Sequence, residues 1–195
     1  MSSEEVTPDP TALRALSHPI RLRMLGLLRS EGPSTASRLA ERLGLNSGAT
    51  SYHLRNLAQH GFVVDAPERG NGRDRWWQAA QQRTTTDNDA AADKAEARDA
   101  IDAFAQAIAV VHTEQLQRAV EERPLLPAQW WRTTSMSDWG LQLRTEDAME
   151  LREQLHALVE SFAQREVPAG TEDSGQMVYQ IHAFPRPGTV APEAS

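Results

Sequence analysis

Apolar side chains recur at helical spacing along the first part of the chain, and glycine or proline separates the segments. The pattern predicts a helix from near Thr11 and a second one from Pro19 to about Ser30. Ser34 or Thr35 then caps a short third helix, because such side chains accept hydrogen bonds from the free amides at a helix start. The first part of the chain is therefore predicted to be helical.

A fourth helix, capped by Asn46 or Ser47, is predicted to run to about His60. Two strands follow at 62–66 and 73–79, and the Asn-Gly dipeptide between them is a signal for a hairpin turn. Helix, short helix, tight turn, helix and hairpin is the element order of a winged helix-turn-helix.

The pattern beyond the polar linker 81–88 predicts a long helix over 89–122. Its apolar stripe has a spacing close to that of a coiled-coil seam and includes Ile101, Phe104, Ile108 and Val111. This stripe needs a partner, which is either the same helix in a second chain or a helix predicted at 145–166 of the same chain. Strands are predicted at 136–143 and 176–184.

The predicted fold class is mainly α with a β wing (α+β), in which a winged helix-turn-helix precedes a long helix and a small α+β C-terminal unit. The predicted segments are a disordered tail (1–10), a DNA-binding winged helix-turn-helix domain (11–80), a linker or dimerisation helix (89–122), a C-terminal α+β unit for an effector or an interaction (125–185) and a second tail (186–195).

The net charge of −7 divides unevenly along the chain. Residues 11–80 hold ten arginines against five acidic residues, whereas residues 81–195 hold ten basic residues against nineteen acidic ones. A basic domain suits binding to phosphates, and the acidic remainder would repel DNA. The distribution therefore indicates nucleic acid as the partner of residues 11–80 alone.

The fourth predicted helix carries the candidate DNA-contacting residues. In a helix-turn-helix, the N-terminal residues of the second helix reach base edges in the major groove. Small side chains there allow close approach, and Tyr52 and Arg55 are long enough to reach bases or phosphates. The alternative is an amphipathic helix with a plain polar face. The candidate residues are Ser47, Gly48, Thr50, Ser51, Tyr52, His53 and Arg55.

The predicted hairpin places three arginines at its tip, namely Arg69, Arg73 and Arg75. A wing of this kind lies along phosphates or enters the minor groove, where arginine is favoured. The alternative is a generic charged turn. Because the hairpin directly follows the candidate recognition helix, the two features together favour DNA binding.

Three segments resemble the ArsR-type winged-helix repressors of bacteria: residues 17–25 (SHPIRLRML), 50–57 (TSYHLRNL) and 61–63 (GFV). The resemblance covers about residues 10–80. It implies a homodimer that binds an inverted repeat in double-stranded DNA, with an effector that controls the affinity. The DNA-facing positions that it implies are Ser47, Ser51, Tyr52, His53 and Arg55.

Metal and catalytic chemistry have little support in the sequence. Metal-sensing ArsR-type proteins use cysteines on the short helices, or sets of His, Asp and Glu on the helix after the wing. Cysteine is absent here, so disulfides and thiolate sites are excluded. His112 and Glu114 are two residues apart on the predicted long helix and therefore face different directions. The chain also lacks a G-x-S-x-G turn, a P-loop and a dinucleotide fingerprint. We expect no metal, no cofactor and no enzymatic activity.

Aromatic residues cluster in the predicted C-terminal unit. They would line a pocket for an apolar or aromatic small-molecule effector if their segments converge. The alternative is the ordinary core of a small domain. The residues in question are Trp130, Trp131, Trp139, Tyr179 and Phe184.

These patterns predict a sequence-specific transcriptional regulator, most simply a repressor, that binds DNA as a homodimer. One alternative is a protein-interaction module built on a winged helix that no longer binds DNA. Another is an enzyme in residues 125–185, which rests on the predicted pocket alone. The first ten residues lack the apolar region of a signal peptide, and no apolar run approaches the roughly 18 residues of a membrane span. The expected location is the cytoplasm, without a membrane partner.

Overall fold

The computed structural model describes residues 5–67, 74–168 and 170–190, and divides the chain into unit 1 (Met1–Leu126) and unit 2 (Pro127–Ser195). The helices are α1 (Pro10–Leu16), α2 (Pro19–Ser30), α3 (Ala36–Leu43), α4 (Ser47–Gln59), α5 (Asn88–Ala91), α6 (Ala95–Glu122), α7 (Ala128–Trp131) and α8 (Thr145–Ala163). The strands are β1 (Glu5–Val6), β2 (Ser34–Thr35), β3 (Val63–Asp65), β4 (Trp76–Ala79) and β5 (Arg83–Thr84).

Polar side chains cap the helices of unit 1 close to the predicted positions. The side chain of Thr35 accepts a hydrogen bond from the amide of Arg38 and so begins α3, and Asn46 begins α4 in the same way. Gly44 ends α3 with a φ of 66°, a left-handed conformation that glycine adopts without steric cost. This glycine makes the tight turn between α3 and α4, as the sequence predicts.

Strand β2, between α2 and α3, joins the two strands after α4 in a three-stranded sheet of the order β2-β4-β3, and its strand pairs are antiparallel. Trp77 on β4 is buried in the same core as α1, α2, α3 and α4. The predicted class, mainly α with a small β wing, is therefore confirmed. The tip of the hairpin, residues 68–73, lies outside the described residues.

The core of unit 1 consists of apolar side chains from the four helices, the sheet and the first half of α6. Its largest fully buried members are Phe62, Leu16, Met24, Leu25, Leu54, Leu57 and Val63.

The long helix α6 confirms the prediction of a long helix, and its first half packs within its own unit. Phe104 and Val111 are buried, and α6 packs against α1 and α2 of its own unit. Salt bridges from Arg14 to Glu96 (2.8 Å) and from Arg23 to Glu114 (2.5 Å) accompany this packing. Beyond Val111 the apolar side chains of α6 are about half exposed.

The N-terminal segment differs from the predicted disordered tail. Strand β1 pairs in parallel with β5, Glu5 with Arg83 and Val6 with Thr84. The carbonyl of Val6 also accepts a hydrogen bond from the amide of Thr85. The prediction considered local composition only, whereas the backbone groups of residues 5–6 find their partners some eighty residues away in the predicted linker.

Unit 2 differs from the predicted α+β unit. Its helix α8 begins at Thr145 as expected, although Arg144 occupies the capping position and makes no side-chain cap hydrogen bond. The segments 136–143 and 176–184 form no strand, and the described residues of unit 2 contain none. A strand requires a neighbouring strand in register, so an apolar run alone does not specify one.

Candidate nucleic-acid interface

The inner face of α4 determines which of its side chains point outward. Thr50, Leu54 and Leu57 are each 0% exposed and lie on one side of the helix, at spacings of four and three residues. They pack in the shared core, with α3 and α2 as neighbours of the helix. This anchoring turns the opposite face of α4 away from the protein.

The outward face of α4 carries most of the predicted DNA-contacting residues. Ser47, Gly48, Tyr52 and Arg55 are exposed, and Ser51 is partly buried. Tyr52 is 59% exposed. Arg55 has no hydrogen-bond or salt-bridge partner among the residues that the structure describes. The face therefore presents small side chains at the helix start, followed by one aromatic phenol and one unpaired cation.

Thr50 does not belong to this face, contrary to the prediction. Its side chain is fully buried, and its hydroxyl donates a hydrogen bond to the backbone carbonyl of Asn46 at 3.1 Å. The side chain occupies the same stripe as Leu54, four residues later. That spacing already indicates the inner face, but the hydroxyl of Thr50 makes the position look polar in the sequence.

His53 lies beside the outward face and contacts α2. Its ring centroid is 4.9 Å from that of His18, and its Nδ1 atom is buried without a hydrogen-bond partner among the described residues. Arg21 donates a hydrogen bond of 2.6 Å to Asn56 across the same boundary. Burial lowers the pKa of His53, and the neighbouring His18 and Arg21 lower it further. His53 is therefore a packing residue between α2 and α4, and not the outward-facing residue that was predicted.

Of the three predicted wing arginines, only Arg75 lies within the described residues. It makes a two-pronged salt bridge to Asp65, at 2.5 and 2.7 Å, and its guanidinium lies 4.1 Å from the ring centre of Trp77. The hydrogen bonds from Arg75 lower the pKa of Asp65. Arg75 thus joins the end of β3 to the start of β4. Arg69 and Arg73 lie outside the described residues.

Arg38 is a further exposed cation that the prediction missed. It lies in the first turn of α3, and its guanidinium is 4.8 Å from the ring centre of Trp76 on β4. This contact places an arginine beside the wing sheet. The sequence signal for Arg38 is a basic residue on the polar face of the helix that precedes the recognition helix. That first helix crosses the DNA backbone in helix-turn-helix domains.

The aromatic residues of unit 2 do not form an enclosed pocket within the described residues. Trp139, Tyr179 and Phe184 are 79%, 70% and 75% exposed, and Trp131 is 48% exposed. The ring of Trp130 lies against Gly175, where an added Cβ would come within 2.8 Å of it. The predicted effector pocket in this unit stays a prediction.

The two histidines between α2 and α4 predict a pH dependence of stability. Burial lowers the pKa of both His18 and His53, and Arg21 faces both of them. Arg23 also opposes the protonation of His18, and Tyr52 makes an edge contact with His53. The unfolded chain therefore binds more protons than the folded one once the pH falls below about 6.5. We expect the contribution of the two histidines to the free energy of unfolding to be fully present above this pH. The free energy of unfolding should then fall as the pH is lowered further.

Urea unfolding between pH 7.5 and 5 measures this effect, which amounts to at most about 1.4 kcal/mol per pH unit for each histidine. His53→Gln should flatten the decline. His156→Gln, which changes an exposed histidine of α8 in unit 2, is the matched control and should keep the wild-type profile. Identical profiles for His53→Gln and the wild type would contradict the assignment.

One family model matches the part of the chain that carries this face. Residues 16–65 match the family model of a helix-turn-helix domain, which covers α2, α3, α4 and β3. A solved structure of a ZitR mutant from Lactococcus lactis, in its apo form, is similar over 73% of this chain and 81% of that chain, with 17% identity and a TM-score of 0.32. A search of curated proteins found no match.

The match to the domain model shows a helix-turn-helix domain over residues 16–65 and supports the class of helix-turn-helix DNA-binding transcription regulators. No helix among the described residues is both long and apolar enough to cross a membrane.

Proposed function

We propose that the chain is an ArsR-type repressor that binds an inverted repeat in DNA as a homodimer. In this proposal α4 enters the major groove and the wing lies on the adjacent backbone. The observation that carries it is the outward face of α4, where Ser47, Ser51, Tyr52 and Arg55 share one side of a helix that three buried side chains hold in place.

The residues on that face suit direct contact with base pairs. Arginine donates two hydrogen bonds to guanine, and serine donates or accepts with any base. Gly48 adds no side chain at the helix start, so the backbone approaches the groove closely. The free amides at the start of α4 favour a phosphate nearby, because the positive end of the helix dipole lies there.

The second half of α6 supports the proposed homodimer. Leu116 and Val120 are 48% and 47% exposed and are four residues apart, so they lie on the same side of the helix. The same helix in a second chain would cover them. Two copies of α4 would then contact half-sites about one helical turn apart on DNA.

Titration of a duplex at increasing salt tests the proposal. If the dimer neutralises about six phosphates, the logarithm of affinity should fall against the logarithm of salt with a slope of about −5, or roughly a thousandfold from 50 to 200 mM. The duplex is chosen by selecting bound fragments from genomic DNA, and fluorescence anisotropy measures the affinity.

The selected fragments should contain two inverted half-sites, which makes the same experiment a test of the dimer. A single half-site in the selected fragments would contradict the inverted repeat. Absence of duplex binding at 20 mM salt would contradict the proposed function as a whole, and would favour a protein-interaction module instead.

A further inference from the structure

Arg29 is a partly buried cation whose partners are all neutral. It lies near the end of α2, where its Nε donates to the carbonyl of Gln81 at 2.9 Å and its Nη2 to the hydroxyl of Thr84 at 2.8 Å. No carboxylate of the described residues pairs with it. By contrast, Arg14, Arg23 and Arg75 of the same unit each pair with a carboxylate.

Burial without a counter-ion has an energetic cost for Arg29. It lowers the pKa of this arginine to about 10, because the charged form loses part of its hydration. Two hydrogen bonds to neutral oxygens offset this loss only in part, since an anionic acceptor binds a guanidinium more strongly. The structure thus holds an unbalanced positive charge at this place.

A cleft of about 180 Å³ opens beside Arg29 between α2 and α6. Its volume equals that of roughly six water molecules, which is room for a small organic molecule. Leu22, Phe104 and Ile108 are among its apolar lining residues, and Arg29 and Thr84 are among the polar ones. An apolar wall with one unbalanced cation is the chemistry that recognises an apolar acid.

Gly26 keeps one side of the cleft open. It lies within α2 and lines the cleft, and a Cβ added to it would meet no atom within 4 Å. Its φ is not positive, so the backbone at this position does not require glycine. Glycine inside a helix costs about 1 kcal/mol relative to alanine. A side chain at this position would extend into the cleft.

We propose that this cleft binds a small organic molecule with an apolar body and a carboxylate group. The carboxylate meets the guanidinium of Arg29, and the apolar body lies between Leu22 on α2 and Phe104 on α6. Through its bonds to Gln81 and Thr84, Arg29 also holds the segment that connects the wing to α6. A bound carboxylate would therefore act on the link between the DNA-binding domain and the long helix, a consequence that rests on the proposed function.

Calorimetric titration of the full chain with benzoate and with hexanoate tests the binding itself, without DNA. Benzamide and hexanamide are the matched neutral probes, because they keep the shape and remove the charge. We expect one site per chain and an affinity for at least one of the acids that is roughly tenfold or more above that for its amide, since the hydrogen bonds to Arg29 are then charge-assisted.

Two variants locate the site. Arg29→Gln should abolish the preference for the acid over the amide. Gly26→Leu should weaken the binding of both the acid and the amide, because its side chain fills the cleft while Arg29 stays in place. Leucine also favours the helix more than glycine does. Arg118→Gln, on the exposed surface of α6, is the control for loss of one positive charge and should bind as the wild type does.

Three results would overturn the proposal: absence of acid binding at 20 mM, equal binding of acids and amides, or wild-type affinity for the acid in Gly26→Leu. If Arg29→Gln does not fold, Gly26→Leu alone decides between cleft binding and binding elsewhere. Acid binding in a chain that binds no duplex would contradict the proposed function and leave the ligand site established.

Discussion

Replacing Arg55 by alanine should weaken specific duplex binding by about 1–3 kcal/mol, or roughly 5- to 150-fold. Arg55 is exposed on the outward face of α4 and has no partner among the described residues, so the folded protein loses no internal contact with it. The whole effect should therefore appear in the complex. Fluorescence anisotropy with the selected duplex, at one fixed salt concentration, measures it.

Two other arginines serve as controls for the loss of charge. Arg118→Ala removes an exposed cation from α6 and should change affinity by less than threefold, because it acts only through the screened field of the protein. Arg75→Ala removes a side chain that already pairs with Asp65 and should lower the affinity less than Arg55→Ala does. Equal losses for Arg55→Ala and Arg118→Ala would mean that α4 does not face the groove.

Replacing Leu54 by alanine should lower the free energy of unfolding by about 2–5 kcal/mol. Leu54 is 0% exposed in the core of unit 1, where it lies in the inner stripe of α4 with Thr50 and Leu57. The truncation removes apolar contact and leaves a cavity that the surrounding helices fill only in part. Chemical denaturation followed by circular dichroism measures the loss.

Leu125→Ala is the matched control for this truncation. Leu125 is 83% exposed in the 3₁₀ turn after α6, and its replacement should change the free energy of unfolding by less than about 0.5 kcal/mol. A loss below 1 kcal/mol for Leu54→Ala would show that α4 is not anchored as described. The outward face of α4 would then lose its structural basis.

The two predictions are linked, since the inner stripe of α4 positions its outer face. Leu54→Ala should weaken DNA binding only to the extent that it unfolds the domain, whereas Arg55→Ala should weaken binding without changing stability. Measuring the free energy of unfolding and the DNA affinity of both variants distinguishes the structural role of Leu54 from the DNA contact of Arg55. Neighbouring residues on one helix thus have different expected effects, because one side chain lies in the core and the other faces solvent.

The helices of unit 1 could be predicted because their signals are local. Asn46 caps α4 through the amide of Ala49, three residues away, and Gly44 ends α3 within the same short stretch. The candidate face of α4 followed from the same periodicity, and Ser47, Gly48, Tyr52 and Arg55 are exposed as predicted. Thr50 was counted among the candidate contacts and His53 was implied by the resemblance, but helix geometry turns the first into the core and the second towards α2.

Unit 2 shows where local patterns are insufficient. The apolar run at 176–184 alternates as a strand would, yet it forms no strand. A strand requires a neighbouring strand in register, and the composition of one segment does not identify that neighbour. Residues 5–6 show the opposite case, since they pair with a segment about eighty residues away and form a strand that their own composition does not indicate.

The sequence by itself determined the helix-turn-helix order, the caps and turns, the basic charge of residues 11–80 and the helix that carries the candidate contacts. These features depend on residues within one or two helical turns of each other, where backbone geometry leaves few alternatives. Only the tertiary structure decided that Arg75 and Arg29 have internal partners while Arg55 has none among the described residues, and that α6 packs on α1 and α2. Arg29 and Thr84 are 55 residues apart, and Arg23 and Glu114 are 91 residues apart. Contacts over such separations depend on how the whole core packs, and no local spacing specifies them.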